Sequence, residues 1–371
     1  RFGRTLLHYA VFTGNVQSTK AILEIYPESE RLRALCVRDK RQCSVLHFAA
    51  GSGNCELIRF QLMLFPEAER LDALLMVDRG SQTVLYRVFA SGNVESMKMV
   101  LSLFPESKRF QVVSLRDNLA RTALHAASMS AHPESIKLIL PMLPESQRLQ
   151  VVKLEDSCAR TVLHYAADES NVEAMKTILD LYPEAERAHV VSVKRSLRKM
   201  TVLHFAAGSG DAESTKFLLG LLPEPERLQA VRLQDEEGST FLHSAADSGN
   251  AESIKALLTL YPEEDRLQLV CMQDQAGRTV LHRSLKSEKY DAIQAILSLL
   301  PVAQRSQAVS TRDRKNRTVF DVAPEATQDI MNWLPGGSDK KRFHSPTGQN
   351  VRQPKEKRKR SKDTGPLSEV P

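Results

Sequence analysis

A phrase close to Thr-Val-Leu-His-x-Ala-Ala recurs along the chain at almost constant spacing. Successive copies begin 39 residues apart, with a single interval of 40 between Thr161 and Thr201. Self-similarity at such a period indicates supersecondary units that bury their apolar faces only against neighbouring units. The sequence therefore predicts a repeat solenoid over residues 1–334, with about eight full repeats and a partial ninth. The copies begin at Thr5, Ser44, Thr83, Thr122, Thr161, Thr201, Thr240, Thr279 and, truncated, Thr318.

Each unit has the pattern of consecutive helices. A Thr or Ser followed by apolar residues, His and an Ala pair is typical of a helix with a hydroxyl N-cap. A glycine such as Gly53 then falls where a helix ends in the left-handed conformation, and Asn54 is placed to cap a second helix. The segment Pro-Glu-x-x-Arg-Leu-x-x-Val, first present at Pro27, indicates a short third helix. The units are therefore predicted to be all-α, with two helices and a third helical turn.

The pattern D-x-x-G-x-T-x-L-H-x-A-A-x-x-G stands at residues 235–249, and its first part stands at 274–282. This signature resembles that of the ankyrin-repeat family. Its turn glycine remains only at Gly3, Gly238 and Gly277, so the other hairpins are expected to be irregular. The period exceeds the usual one of ~33 residues. Long-period repeats of this kind are similar to those of interaction proteins that intracellular bacteria deliver into host cells, which implies a translocated effector as an alternative role.

The resemblance implies binding by a palm, formed by the first helices, and by fingers, formed by the hairpins. The residue after the motif histidine faces the palm in the family, and here it varies between aromatic, arginine and small side chains. Aromatic residues and arginine are enriched at binding hot spots; the alternative is that the aromatics fill gaps between helices. The predicted partner-binding residues are Tyr9, Phe48, Arg87, Tyr165, Phe205 and Arg283, with the hairpin arginines Arg121, Arg160 and Arg278, which suggest a partly acidic protein partner.

Two further ladders of side chains are interpreted as structural. In this family the motif histidine ties adjacent units by hydrogen bonds, and successive histidines are too far apart to share zinc at ~2.0–2.1 Å. An arginine in the third helix follows a glutamate by three residues, as Arg31 follows Glu28, which predicts ion pairs; an arginine strip for an acidic partner is the alternative. The histidines are His8, His47, His125, His164, His204, His243 and His282.

No pattern for catalysis is found: the sequence has no phosphate-binding glycine loop, nucleophile elbow or H-E-x-x-H. No enzyme activity, cofactor, metal or small-molecule substrate is predicted. Five scattered cysteines, without a close C-x-x-C pair, indicate reduced thiols in the cytoplasm or nucleus. Apolar runs stay well short of the ~20 residues that cross a bilayer, so no membrane insertion is expected. The chain begins at Arg1 rather than Met, which leaves open an upstream segment that carries an enzyme domain.

The segment 335–371 differs from the rest in composition. It contains 10 Lys or Arg and 4 Asp or Glu, whereas the residues before it hold 41 of each sign, so the whole formal charge of +6 lies here. With few apolar residues, this tail is predicted to be disordered. Its two basic clusters resemble a bipartite nuclear-import signal bound by an import receptor; the alternatives are nonspecific nucleic-acid contact and a solvated tail without a partner. The clusters are Lys340, Lys341 and Arg342, and Lys355, Lys357, Arg358, Lys359 and Arg360.

Together these features predict a non-enzymatic adaptor that binds a protein partner on the palm, inside the cell and in the cytoplasm or the nucleus. One alternative is a translocated bacterial effector that binds proteins within a host cell. Another is a nuclear regulator that contacts nucleic acid through its basic tail. The repeats themselves are not expected to bind nucleic acid, because their formal charges balance.

Overall fold

The computed structural model describes residues 2–130, 132–194, 197–285 and 290–334. Within these ranges the chain forms helices joined by short connections, and the extended structure is limited to two isolated bridges, between Arg38 and Ser44 and between Val77 and Thr83. The predicted all-α solenoid is confirmed. The predicted tail, residues 335–371, lies outside the described residues.

The first helix of each unit begins directly after the motif Thr or Ser. The main-chain N–H of Thr240 donates to Nδ1 of His243 at 3.1 Å, and the threonine side chain caps the helix in return. Such a reciprocal cap satisfies donors that a helix start leaves unpaired. The first helices are Leu6–Phe12, Val45–Ser52, Val84–Ala90, Ala123–Ser128, Val162–Asp168, Val202–Gly208, Phe241–Ser248, Val280–Ser284 and Val319–Val322.

The second helices pack against the first helices of their own units and against the second helices of their neighbours. Each begins after an Asn or Asp cap where the sequence predicts one; Oδ1 of Asn54, for example, accepts from the N–H of Leu57 at 3.0 Å. Gly53 before it has a φ of 67°, as predicted for a helix end. The second helices are Val16–Glu24, Cys55–Met63, Val94–Ser102, Ser135–Ile139, Val172–Leu179, Ala212–Gly220, Ala251–Leu258, Asp291–Ser298 and Thr327–Asn332. Among the described residues, short 3-10 turns lie at Glu67–Glu69, Leu140–Met142 and Pro324–Ala326.

The third helices follow a proline and are longer than the predicted single turn. Nε of Arg109 donates to the carbonyl oxygen of Phe104 at 3.1 Å, and its Nη1 reaches the carbonyl of Met142 in the next unit at 3.0 Å. Among the described residues no ion pair joins these arginines to the glutamate three residues earlier, so that prediction is wrong. The reason is that the last carbonyls of the second helix lack intrahelical partners and accept the guanidinium instead. The third helices are Glu28–Cys36, Arg70–Leu75, Glu106–Val113, Glu145–Val152, Glu184–Ser192, Glu224–Ala230, Glu263–Val270 and Val302–Ser310.

The hairpins between units are regular, contrary to the prediction from their missing glycines. Units are numbered along the chain, and each includes the hairpin directly before its motif Thr or Ser. In unit 5, whose motif residue is Thr161, Oδ1 of Asp156 accepts hydrogen bonds from the N–H groups of Cys158 and Arg160, both at 2.8 Å. These bonds hold Ala159 at a φ of 56°, although the left-handed region costs a residue with a side chain about 1–2 kcal/mol. The same left-handed position is occupied by Gly3, Gln42, Ser81, Ala120, Ala159, Lys199, Gly238, Gly277 and Asn316.

Main-chain hydrogen bonds join each hairpin to the preceding one. The N–H of Arg79 donates to the carbonyl of Arg41 at 2.8 Å. Equivalent bonds run from Lys40 to Phe2, Asn118 to Gly80, Ser157 to Leu119, Leu197 to Cys158, Glu236 to Arg198, Gln275 to Glu237 and Arg314 to Ala276. The row continues through the unit that has one extra residue, so the hairpin tips keep a constant spacing.

The motif histidines join neighbouring units, as the resemblance implies. Nε2 of His243 donates to the carbonyl of Arg278 in the next unit at 3.2 Å, while its Nδ1 accepts from Thr240. These two bonds together require a neutral ring with its hydrogen on Nε2. Desolvation by burial lowers the pKa of His243 to about 4. The same inter-unit bond joins His8 to Cys43, His125 to Arg160, His204 to Ser239 and His282 to Arg317.

Candidate functional site

The larger residues at the position after the motif histidine, called here the palm residue, are of two kinds. In three units it is polar and reaches back nine positions to the turn aspartate of its own unit. The hydroxyl of Tyr165 donates to Oδ2 of Asp156 at 2.7 Å. The equivalent contacts are Arg87 Nη2 to Asp78 at 2.5 Å and Arg283 Nη2 to Asp274 at 2.8 Å. These bonds fasten the first helix to the hairpin of the same unit.

Two of these three palm residues are buried, although the sequence predicts that they face a partner. Tyr165 is 5% exposed and Arg283 is 8% exposed. Arg283 also donates to Asp247 at 2.9 Å and to Ser239 at 2.7 Å. Burial would raise the pKa of Asp156, but hydrogen bonds from the Arg160 main chain and the Tyr165 hydroxyl outweigh it and hold that pKa below its usual value. Both palm side chains are therefore buried, and each already donates a hydrogen bond to a carboxylate.

The three hairpin arginines predicted to attract an acidic partner are also engaged. Each pairs with the aspartate four residues earlier that organises its own hairpin. The distances are 2.7 Å for Arg121 with Asp117, 2.9 Å for Arg160 with Asp156 and 2.8 Å for Arg278 with Asp274. Their charges are therefore largely balanced within the hairpin. Their binding role stays a prediction.

Phe48 and Phe205 are the second kind of palm residue. Each ring lies edge-on against the motif histidine of the preceding unit, with centroids 5.2 Å from His8 and 5.4 Å from His164. Both side chains are half-buried, so part of each ring remains open. Tyr9, in the first unit, is 51% exposed. These three aromatic residues are accessible, and their role in binding stays a prediction.

Two pockets open beside Phe48 and Phe205, and both are built from the same nine-residue sequence. Residues 45–53 and 202–210 are identical, Val-Leu-His-Phe-Ala-Ala-Gly-Ser-Gly. Gly51 and Gly208 lie three residues after the phenylalanine, on the same side of the first helix. An added Cβ would meet no atom within 4 Å at Gly51 and only the Cβ of Ser244, at 3.8 Å, at Gly208. The absent side chains leave space that Phe12, Ala90, Met129, Asp168 and Asp247 occupy in other units.

The pockets are named after the units that carry the phenylalanine. The unit-2 pocket has a volume of about 280 Å³ and the unit-6 pocket one of about 590 Å³. The unit-2 pocket is lined by Arg4, Phe12, Arg41, Cys43, His47, Phe48, Gly51, Ser52 and Arg87. The unit-6 pocket is lined by Cys158, Arg160, Asp168, Leu197, Arg198, Met200, His204, Phe205, Gly208, Ser244, Asp247 and Ser248. Most of these residues occupy equivalent positions of the repeat.

The walls of the two pockets differ in charge. In the unit-2 pocket the guanidinium carbon of Arg4 lies 4.7 Å from the ring centroid of Phe48, and Phe12 supplies a second ring. In the unit-6 pocket Asp168 stands at the position equivalent to Phe12. Desolvation raises the pKa of the Asp168 carboxyl. The unit-2 pocket is therefore aromatic and basic, whereas the unit-6 pocket has carboxylates as well as arginines in its wall.

The hairpin above the unit-6 pocket differs from its equivalents in sequence. Met200 stands where Arg160 stands in unit 5, and Leu197 at the tip is 65% exposed. Both line the pocket. Leu197 and Met200 were not predicted as site residues from the sequence, and neither were Gly51 and Gly208. The signal that could have found them is the duplicated nine-residue segment, which two units share and the others lack.

Comparison with known families identifies the repeat. A family model described as "Ankyrin repeats (3 copies)" matches residues 88–189, 163–268 and 203–308. These overlapping matches cover residues 88–308, more than half of the chain. The chain belongs to the ankyrin-repeat family. Ankyrin repeats are in general modules for protein–protein interaction and are typically non-enzymatic. No curated protein matches the chain.

Metal-binding groups, membrane-spanning helices and cysteines are the remaining features of the ankyrin array. In the part of the chain that the structure describes, no three His, Cys, Asp or Glu side chains are grouped so that they could hold a metal ion. Nor does any helix described there have the length and apolar character to span a bilayer. All five cysteines are free, and burial raises the pKa of Cys43 to about 11. The predicted import-signal residues Lys340, Lys341, Arg342, Lys355, Lys357, Arg358, Lys359 and Arg360 lie outside the described residues.

Proposed function

We propose that this ankyrin-repeat protein is a non-enzymatic adaptor that binds a protein partner across its first helices and hairpins. The observation that carries the proposal is the pair of pockets beside Phe48 and Phe205. By contrast, the palm residues Arg87, Tyr165 and Arg283 bond to the turn aspartates of their own units. The pockets retain both free volume and open ring surface, which is what a partner side chain needs.

The surface around the pockets, rather than their size, favours a protein partner over a small molecule. The unit-2 pocket, at about 280 Å³, falls just below the roughly 300–1,000 Å³ of ligand-binding cavities, and the unit-6 pocket, at about 590 Å³, lies within that range. Both pockets are bordered by exposed apolar side chains, since Phe12 is 66% and Leu197 65% exposed. Apolar surface with a polar rim is typical of protein interaction sites.

The charge of the neighbouring hairpins favours an acidic region in the partner. Lys40, Arg41 and Arg79 are at the tips of the hairpins of units 2 and 3, and Lys40 and Arg41 are exposed. None of these three forms an ion pair with another described residue, in contrast to Arg121 and its equivalents. Complementary charge of this kind accelerates association and selects the partner.

The proposal is tested by filling the pockets without disturbing the fold. Methionine stands at the equivalent position of unit 4, Met129, so Gly51→Met with Gly208→Met should be accommodated and should also favour the helix. Gly220→Met on a second helix is the matched control, because an added Cβ there also meets no atom within 4 Å. Random 20-residue peptides would be displayed, selected on the full chain and measured by fluorescence anisotropy.

We expect the selected peptides to bind the double variant at least tenfold more weakly than the unaltered chain and the Gly220→Met control. Filling a pocket excludes the anchoring side chain, and hot-spot losses commonly exceed ~1.4 kcal/mol, a factor of ten. Peptides that bind all three proteins equally would place the binding surface elsewhere. Failure to select any peptide would also count against the proposal.

We further propose that the tail directs the protein to the nucleus. The support is the sequence alone: two basic clusters, from Lys340 and from Lys355, with the whole formal net charge of +6 in residues 335–371. A role as a translocated effector is the alternative, and it would use the same binding face on host proteins.

A further inference from the structure

We propose that the unit-2 and unit-6 pockets act together, and that each receives an apolar side chain from one extended segment of the partner, with acidic residues beside the first anchor and a basic residue beside the second. This inference rests on the proposed function and adds the spacing and polarity of the bound segment.

The duplication of the pocket is the first argument. Two units share nine identical residues, including Phe48 with Gly51 and Phe205 with Gly208, whereas the units between them differ at these positions. Phenylalanine is not needed to build a unit, because Ala126 occupies the palm position of unit 4 and is buried there. The phenylalanine and glycine together create the same cavity twice on one face of the array.

The size of the unit-2 pocket is the second argument. At about 280 Å³ it falls just below the range of ligand-binding cavities and accommodates a single large side chain. One buried side chain offsets little of the entropy that association removes, so a stable complex needs further anchors. A second anchor on the same segment binds at high effective concentration, and such linkage raises affinity by about 10²–10⁴-fold.

The spacing of the pockets sets the length of the segment. Packed helices lie about 8–10 Å apart, so four units separate the pockets by about 32–40 Å. An extended chain covers about 3.3 Å per residue, which places the two anchors about 10–12 residues apart. The surface between them offers further apolar contact, since Met129 is 39% and Leu119 50% exposed.

The walls of the pockets set the polarity of the segment. Beside Gly51 the flanking units carry Phe12 and Ala90, whereas beside Gly208 they carry Asp168 and Asp247, of which Asp247 is paired with Arg283. Arg41 lines the unit-2 pocket and has no ion-pair partner among the described residues. Two arginines also line the unit-6 pocket, but Arg160 is paired with Asp156 and Arg198 with Glu237. An acidic residue is therefore favoured next to the first anchor, and a basic residue is favoured next to Asp168 at the second.

The experiment uses the tightest peptide selected on the full chain. Its affinity is measured on the unaltered protein, on Gly51→Met, on Gly208→Met and on the Gly220→Met control. The peptide is then synthesised as two halves, divided midway between its anchors, and each half is measured on the same four proteins. Circular dichroism melting of every variant confirms that the fold is retained.

We expect each single pocket variant to weaken the intact peptide at least tenfold, and each half to bind at least 100-fold more weakly than the intact peptide. The more acidic half should respond only to Gly51→Met and the more basic half only to Gly208→Met. Dependence of the intact peptide on one glycine alone, or a response of both halves to the same variant, would overturn the two-pocket proposal while leaving the proposed function intact. A peptide indifferent to both variants would overturn both proposals.

Discussion

The hydroxyl of Tyr165 lies 2.7 Å from Oδ2 of Asp156, and this bond joins a first helix to the hairpin that precedes it. We expect Tyr165→Phe to lower the free energy of unfolding by about 1–2 kcal/mol, because a buried carboxylate loses one donor. Tyr165→Ala should lower it by about 3–5 kcal/mol, because a cavity also remains. Chemical denaturation measures both. The control is Tyr9→Ala, which at 51% exposure should stay within about 0.5 kcal/mol. Equal effects of the two alanine variants would contradict the buried role of Tyr165.

The buried histidines should make stability depend on pH in the acidic range. Desolvation lowers the pKa of His125, His204 and His243 to about 4, below the usual value of 6.5. The unfolded chain therefore binds protons more readily than the folded one between pH 6.5 and 4. Over that window each histidine should reduce the free energy of unfolding by up to about 1.4 kcal/mol per pH unit as pH falls.

Urea midpoints measured from pH 7.5 to pH 4.5 check this expectation. Because the losses of unfolding free energy at the individual histidines add, the array should unfold well above pH 4. His243→Gln keeps an acceptor and a donor but does not titrate, so its stability should fall less steeply with pH than that of the unaltered chain. A profile that is flat between pH 6.5 and 4.5 would show that the histidines are not buried in neutral form.

Gln61 is an unpaired polar side chain in the core that the second helices form. Its side chain is fully buried and neither amide atom has a hydrogen-bond partner among the described residues. The equivalent residues of the neighbouring units are Ile22 and Val100. We expect Gln61→Leu to raise the free energy of unfolding by about 1–3 kcal/mol, the cost of burying an unpaired polar group. The exposed Gln17→Leu serves as control and should change stability by less than about 0.5 kcal/mol. Destabilisation by Gln61→Leu would mean that the amide has a partner.

The left-handed turn residues should respond to glycine in opposite directions. Ala120→Gly and Ala159→Gly should each stabilise the fold by about 0.5–1 kcal/mol, because relief of left-handed strain exceeds the added chain entropy. Gly277→Ala should destabilise it by more than 1 kcal/mol: a Cβ there would lie 2.6 Å from the nitrogen of Arg314 at a φ of 75°. Thermal melting of the three variants is the measurement. Stabilisation by Gly277→Ala would refute the common turn conformation.

The tail prediction is tested in a eukaryotic cell. Replacing Arg358, Lys359 and Arg360 by alanine should shift a fluorescent fusion from the nucleus to the cytoplasm, because the second basic cluster is lost. The melting temperature should be unchanged, since the tail is predicted to be disordered. Arg59→Ala at an exposed position of the solenoid is a control for loss of charge alone. An identical distribution of the fusion with and without the three substitutions would reject the import hypothesis.

The sequence was enough to predict the fold, the unit boundaries and the caps. The period, the Thr and Asn caps and the helix-ending glycines act within a few residues of one another, so local chemistry decides them; Thr240 with His243 and Asn54 with Leu57 are examples. The family resemblance added the inter-unit role of the histidines. Local rules failed in two places: Arg109 bonds to carbonyls, one of them in the next unit, instead of to Glu106, and Asp156 accepts main-chain hydrogen bonds that hold Ala159 in a conformation usual for glycine.

The sequence by itself thus determined that the chain is an array of ankyrin units with a basic tail. Only the tertiary structure decided which palm residues are free. Tyr165 and Phe205 look equivalent in the sequence, but the hydroxyl of Tyr165 reaches Asp156 and the side chain is buried, whereas Phe205 has no polar group to satisfy and stays open beside Gly208. The physical reason is that the bond that holds Tyr165 in place depends on the distance between its first helix and the turn aspartate of the same unit. That distance is fixed by the packing of helix and hairpin, which the sequence pattern does not specify.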